Sequence, residues 1–358
     1  MKFIGNKLRL LNYIDTAVEQ TGIKEGTFID LFTGTTNVAQ YYKRRGFKII
    51  SNDMLSFSYA FQHAYIKVNQ MPSFRNLELG GQRRSVQKTL NGARVSEVIS
   101  YLNNLEGIKG FIYENYCDRG TENKKYKRRY FSDSNAKKID AIRTQIQKWY
   151  GEGSINEDEF YVLLAELVDS SDFIANNSGT YGAFLKIWRS MALKPLHLDI
   201  PKIVSSKIEH EINQKDAKGL IKGIEGDILY LDPPYNSRQY APNYHILETI
   251  TLYDNPEIYG KTGIREGYFK SKLSMKSKAS KEFETIVRNA KVKYILMNYN
   301  NEGIIPYEVI KACFEEKGEF SEIRRNYKRY RSESNHEKRC YKDVGDQTTE
   351  YLYTCKVN

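Results

Sequence analysis

The sequence predicts an α/β protein: a doubly wound, mainly parallel sheet interrupted by a long polar insert. Three observations carry this. Short apolar runs at 27–32 and 47–51 alternate with helical patterns, giving the β-α-β-α order of such a sheet. Similar apolar runs return at 227–231 and 293–299. Between the two groups the chain turns polar and rich in Arg, Lys and Asn, and its periodicity fades from about residue 71 to 148.

Each element has its own signal. The run T-F-I-D-L-F at 27–32 reads as a strand buried on both faces. A Gly/Thr turn occupies 33–36, and a helical pattern over 37–45 stops at Gly46. The second strand, F-K-I-I-S, ends in Asn52-Asp53, and a helical stretch spans 55–69. Helical pattern resumes at 160–168. The strand D-I-L-Y-L at 227–231 leads directly into Asp232-Pro233-Pro234-Tyr235. Beyond it come a helix at 244–253, a basic stretch at 261–293, a strand at 293–299 and a helix at 306–317. Two strands at 320–330 and 350–356, joined by a charged loop, close the chain. Residues 1–70 and 160–358 are expected to form the main domain, with 71–159 inserted.

Composition narrows the class. Of 358 residues, 55 are Lys or Arg and 44 are Asp or Glu, a formal net charge of +11 that points to a polyanionic partner, nucleic acid first. No apolar run approaches the ~18 residues of a membrane span, and the amino terminus turns polar too soon for a signal peptide. A cytoplasmic location is expected. The four cysteines form no C-x-x-C pair, so neither a metal site nor a disulfide framework is expected. The 28 tyrosines suit base stacking, but equally suit half-buried packing.

Four segments carry chemistry. Asp232-Pro233-Pro234-Tyr235 follows an apolar strand, and carboxyl ends of strands are where open α/β sheets bind ligands. Its prolines fix the backbone and remove two N–H donors, which leaves the Asp232 carboxylate and the Pro233 carbonyl as acceptors. Two acceptors beside an aromatic ring suit the exocyclic amino group of a flat base, with Tyr235 stacked on the ring. Taken alone, the tetrapeptide is also a rigid turn. The second segment is the small-residue turn 30–36 between strand and helix. It has one glycine, Gly34, where a dinucleotide fingerprint needs three. The third is Asp53, nineteen residues beyond Gly34 at the end of the next strand, where an acid can accept ribose hydroxyls. The fourth is Phe3, Ile4, Gly5 and Lys7.

In this order the four segments resemble the N6-adenine-specific DNA methyltransferases of the D12 class, the DNA adenine methylase (Dam) family. The sequence 236–245 (N-S-R-Q-Y-A-P-N-Y-H) and the sequence 179–186 (G-T-Y-G-A-F-L-K) are similar to type II restriction–modification adenine methylases of the FokI kind. The resemblance covers both ends of the chain. It departs at one place, where Thr36 stands at the loop's usual second glycine.

The resemblance implies a Rossmann-like class I S-adenosylmethionine-dependent methyltransferase sheet with an inserted, mostly helical target-recognition domain. It implies S-adenosylmethionine as cofactor and double-stranded DNA as partner. Phe3, Ile4, Gly5 and Lys7 would lie near the cofactor's methionine end. Asp30, Phe32 and Gly34 would line its pocket, Asp53 would hold the ribose, and Asp227 would meet the adenine. Asp232, Pro233, Pro234 and Tyr235 would be catalytic. A flipped adenine would be methylated directly on N6, the proton passing to Asp232 or to water. No Pro-Cys occurs, so ring-carbon methylation through a thiolate is not expected.

The basic run supplies Arg119, Lys124, Lys125, Lys127, Arg128 and Arg129, interleaved with Tyr126 and followed by Tyr130 and Phe131. These are expected to contact DNA phosphates, although such a run is also what a solvated face looks like. Asn298 and Tyr299 end a strand beside the expected site. Transfer to N4 of cytosine is the rival chemistry, since the same acceptors suit either amino group. A non-catalytic DNA-binding protein on the same fold is the rival of a different class. The resemblance also allows a cognate restriction endonuclease acting on the same site as a partner, which one chain alone does not establish.

Overall fold

The computed structural model describes residues 6–79, 91–328 and 347–358. The chain begins with α1 (Leu11–Gln20), β1 (Thr27–Asp30), α2 (Asn37–Arg44) and β2 (Lys48–Asn52). A helical stretch follows, with α3 (Ser56–Gln62), α4 (Asn91–Asn104), α5 (Phe111–Tyr116), α6 (Asp133–Gly151) and α7 (Glu157–Phe173). Next come β3 (Glu211–Asn213), α8 (Ala217–Leu220), β4 (Ile228–Leu231), α9 (Tyr240–Asn243) and α10 (His245–Leu252). A small antiparallel pair, β5 (Ile258–Tyr259) and β6 (Ile264–Arg265), leads to α11 (Ala279–Asn289), β7 (Tyr294–Asn300), α12 (Tyr307–Lys317), β8 (Gly318–Lys328) and β9 (Gln347–Val357).

Two compact units result. One comprises residues 6–54, 208–240 and 269–358 and contains the whole seven-stranded sheet, in the order β3-β2-β1-β4-β7-β9-β8. Strands β3, β2, β1, β4 and β7 run parallel, and β9 slots antiparallel between β7 and β8. The inner strands are apolar because both faces are covered. All four residues of β4 are buried. On one face Ile29, Leu229, Leu231, Ile295 and Met297 pack with Phe283, Ile286 and Val287 of α11 and Ile310 and Phe314 of α12. On the other, Phe28 stacks on Tyr42 of α2 with ring centroids 4.1 Å apart. The strand expectations at 27–32, 47–51, 227–231, 293–299, 320–330 and 350–356 overlap observed strands, with 329–330 lying outside the described residues.

The second unit comprises residues 55–207 and 241–268 and is mainly helical. Its helix starts are built locally. Asn156 and Glu159 close a capping box at α7, and the Ser132 hydroxyl accepts from Asn135 N–H at α6. The buried Asp140 carboxylate takes the N–H groups of Gly110, Ile112 and Tyr113 at the start of α5. This unit is wider than the segment 71–159, because α7 buries Val162, Leu163, Leu167 and Val168 in a unit shared with α3, α6 and α10. The helix expected over 55–69 ends at Gln62 and widens into a π-turn at His63–Lys67, where the His63 ring stacks on Tyr161. Among the described residues, no helix is long and apolar enough to cross a membrane.

Candidate active site

In the sheet order, β1 has β2 on one side and β4 on the other. Crossovers therefore leave this point in opposite directions, and the carboxyl ends of the strands here form the crevice in which open α/β sheets bind ligands. Asp30 ends β1, Asp53 follows β2 and Asp232 follows β4.

The loop after β1 is held from β2. Thr33 N–H donates to the Asn52 carbonyl at 3.0 Å, and Gly34 N–H donates to Asp53 Oδ2 at 2.9 Å. Asp53 is thus placed against the loop by a hydrogen bond as well as by its strand. Gly34 has φ +52° and Thr36 has φ +62°. Both lie in the left-handed region, so a glycine would be at ease where Thr36 stands, and the threonine costs about 1 kcal/mol of backbone strain.

Asp30 is 1 % exposed, and its Oδ1 has no hydrogen-bond partner among the described residues. Burial pushes its carboxyl well above the ordinary carboxylate range, and the charges of Asp232 and Asp53 push it further.

Asp232 sits in a closed network. Lys7 Nζ lies 3.0 Å from Asp232 Oδ1 and donates to the Tyr235 hydroxyl at 2.6 Å. The Tyr235 hydroxyl donates to Asp232 Oδ1 at 2.7 Å. Asn298 Nδ2 donates to the Tyr235 hydroxyl and to Glu350 Oε2, each at 3.0 Å. The Lys7 ammonium also lies over the Tyr235 ring, 4.7 Å from its centroid, and Tyr299 meets that ring edge-on at 5.0 Å. Burial raises the Asp232 carboxyl above its ordinary value, while Lys7 and the Tyr235 hydrogen bond oppose the rise. Glu350 is raised by burial and by the Asp232 charge, against the pull of Lys7. Among the described residues, the Lys7 ammonium is placed against a region holding Asp30, Asp53, Asp232 and Glu350, a charge balance that favours a cationic ligand.

The site thus brings together Lys7, Asp30, Gly34, Asp53, Asp232 and Tyr235, all expected from sequence. Phe32 lies half-buried against the sheet core, and Pro233 and Pro234 continue from β4. Phe3, Ile4 and Gly5 lie outside the described residues. Glu350 was not foreseen; it sits in a charged carboxyl-terminal segment with no motif around it.

Asp227 is a correction. It precedes β4, whereas the site lies after it, about 16 Å away at the rise of an extended strand. Its Oδ2 accepts Thr27 N–H at 2.7 Å, and Oδ1 pairs with Lys293 at 2.8 Å. It ties the starts of β1 and β4 together instead of meeting a ligand.

The basic run divides in the helical unit. Arg119, Lys124, Lys125 and Lys127 are exposed. Arg129 is half-buried, pairs with Asp118 at 2.9 Å and lies over the Trp188 ring. Arg128 is a second correction. It is 6 % exposed, and its guanidinium donates to the carbonyls of Asn115, Gly260 and Lys261 at 3.1–3.2 Å. Its donors are committed to the fold, not offered to phosphates. Tyr181, in the family-like segment, is wholly buried with its hydroxyl on Asp172.

The family model described as D12 class N6 adenine-specific DNA methyltransferase matches residues 3–313. The chain is 39% identical over 357 residues to the type II methyltransferase M.NlaIII of Neisseria lactamica, covering 99% of this chain and 98% of that protein. It is 37% identical over 361 residues to M.FokI of Planomicrobium okeanokoites, covering 99% of this chain but 52% of that longer one. It is 29% identical over 357 residues to M.CviAII of Paramecium bursaria Chlorella virus 1, covering 98% and 97%. With D-P-P-Y at the end of β4 inside the matched span, the chain belongs to the D12 class of N6 adenine-specific DNA methyltransferases.

Proposed function

We propose that this chain transfers a methyl group from S-adenosylmethionine to N6 of an adenine flipped out of duplex DNA, at one short sequence. The observation that carries the reading is Asp232 at the end of β4, beside the β1/β4 crevice, with its carboxylate held by Lys7 and Tyr235.

The residues present fit the cofactor. The orphaned Asp30 Oδ1 lacks a donor, and the cofactor's ammonium and hydroxyl groups are donors. Asp53 would take the ribose, Gly34 and Phe32 would line the pocket, and Lys7 would meet the carboxylate end. When bound, S-adenosylmethionine supplies an electrophilic methyl group on a sulfonium.

The chain's own residues do the rest. The N6 lone pair of adenine is delocalised into the ring and is a poor nucleophile. Asp232 and the Pro233 carbonyl accept the two N6 hydrogens, which localises the lone pair on nitrogen. The rigid prolines keep both acceptors fixed, so positioning supplies most of the rate. Burial makes the Asp232 carboxylate more basic, which suits it to take the proton that N6 sheds after transfer. The Tyr235 ring stacks on the extruded base and offsets part of the cost of flipping, a few kcal/mol.

Segment 71–159 of the helical unit reads the target. Arg119, Lys124, Lys125, Lys127 and Arg129 contact phosphates. The type II names of the relatives support a place in a restriction–modification system in the cytoplasm, with an endonuclease acting at the same site. The test is incubation with S-adenosylmethionine and unmethylated genomic DNA, followed by nucleoside mass spectrometry. N6-methyladenine is expected. N4-methylcytosine would overturn the base assignment, and no methylated nucleoside would overturn the reading.

A further inference from the structure

We propose that Glu350 is a positioning residue for methyl transfer: through Asn298 it sets the direction of the hydrogen-bond chain that ends on Asp232. The proposal rests on the functional reading above, and adds a residue from β9 that lies far from every motif in the sequence.

Donor and acceptor counts fix the direction of the chain. Asn298 is fully buried, and its two Nδ2 hydrogens are both used, one on Glu350 Oε2 and one on the Tyr235 hydroxyl oxygen. Its Oδ1 is buried with no partner among the described residues. An amide that leaves its acceptor unused is held in that orientation by something else. Glu350 does this, because an ionised carboxylate only accepts and would repel Oδ1 if the amide turned over. The Tyr235 oxygen then receives hydrogens from both Asn298 and Lys7. Its own hydrogen can only be given away, and it goes to Asp232 Oδ1 at 2.7 Å. That bond favours the ionised form of Asp232 and fixes its rotamer, with Oδ1 engaged.

Replacing Glu350 by Gln keeps the shape but removes this direction. A glutamine amide can present either end to Asn298, so Asn298 can turn and offer Oδ1 to Tyr235. The Tyr235 hydroxyl would then donate to Asn298, and Asp232 would lose a donor. Fold loss is guarded against by the isosteric change and by measuring melting temperature and cofactor affinity alongside rate.

The test is a double-mutant cycle on single-turnover methyl transfer with wild type, Glu350→Gln, Tyr235→Phe and the double variant. Losing a hydrogen bond to a charged group predicts that Glu350→Gln is slower by about tenfold to a hundredfold, with DNA KM and cofactor Kd within about twofold of wild type. In the Tyr235→Phe background, the same change should slow the reaction by less than about twofold, because its effect runs through the missing hydroxyl. Glu350→Asp, which keeps the charge, should restore part of the rate. Wild-type rate in Glu350→Gln, or equal losses in both backgrounds, would overturn the positioning role while leaving the methyltransferase reading intact. Absence of transfer by the wild type would overturn both.

Discussion

Lys7 is the cation that the buried carboxylates depend on, and Lys7→Met removes its charge while keeping most of its length. Lys7 is 5 % exposed and Asp232 is 17 % exposed, so solvent replaces little of what is lost. Removing one partner of a buried pair costs about 3–5 kcal/mol, because the other charge is left uncompensated. The loss has a defined pH dependence. Burial already holds the Asp232 carboxyl above its ordinary value in the folded protein, and Lys7 restrains that rise. Without Lys7 the carboxyl climbs further. The added penalty is complete above the new folded-state pKa and fades as pH falls through it, when the folded protein takes up the proton. Glu350, which Lys7 also restrains, adds to the effect in the same direction. At pH 8, a loss of about 3 kcal/mol corresponds to a melting temperature roughly 4 °C below wild type. As pH falls from 8 toward acid the gap should narrow. Thermal melts of both proteins across this range make the measurement. The acid limb of the methylation rate, which needs ionised Asp232, should move to higher pH. A gap independent of pH, or one that widens toward acid, would refute the electrostatic reasoning.

Other expectations follow from single residues. Thr36→Gly relieves a φ of +62° but adds the unfolded-state entropy of glycine and removes the buried hydroxyl that accepts from Gln40, so stability to urea should fall by about 0.5–1 kcal/mol. Arg128→Ala strips donors from three carbonyls and should cost about 2–4 kcal/mol of stability. Lys125→Ala and Lys127→Ala should leave stability within about 0.5 kcal/mol and instead lower the salt dependence of DNA binding, by about one unit of log–log slope each. Asp30 should lose a proton when a cationic cofactor binds, so affinity rises with pH through its raised pKa. Calorimetry in buffers of different ionisation enthalpy would read that proton, and Asp30→Asn should abolish it.

The legible parts of this protein are those whose signal is local. The strand at Ile228–Leu231 announces itself by four apolar residues, and the two prolines after it mark where the strand must stop. Asp53 could be found from its spacing to Gly34 because βα units have a narrow range of lengths. Glu350 had no such signal. Its role exists only because β9 runs antiparallel beside β7, with Asn300 opposite Glu350. Strand β3 is three residues long, E-I-N, too short to stand out from a polar stretch. Arg128 looks like its basic neighbours in sequence. What separates it is a loop more than 130 residues away, whose carbonyls it satisfies. Asp227 misled because adjacency to a strand does not say which end of the strand faces the ligand.

The central claim is that the Asp232 carboxylate accepts from the target amino group and so makes it nucleophilic. The direct measurement is the single-turnover rate of methyl transfer by Asp232→Asn, alongside its cofactor affinity and 2-aminopurine fluorescence at the target position. Asparagine keeps the size and loses the charge. The rate should fall by about 10²–10³ or more, with cofactor affinity and base flipping retained. Transfer within about tenfold of wild type would contradict it.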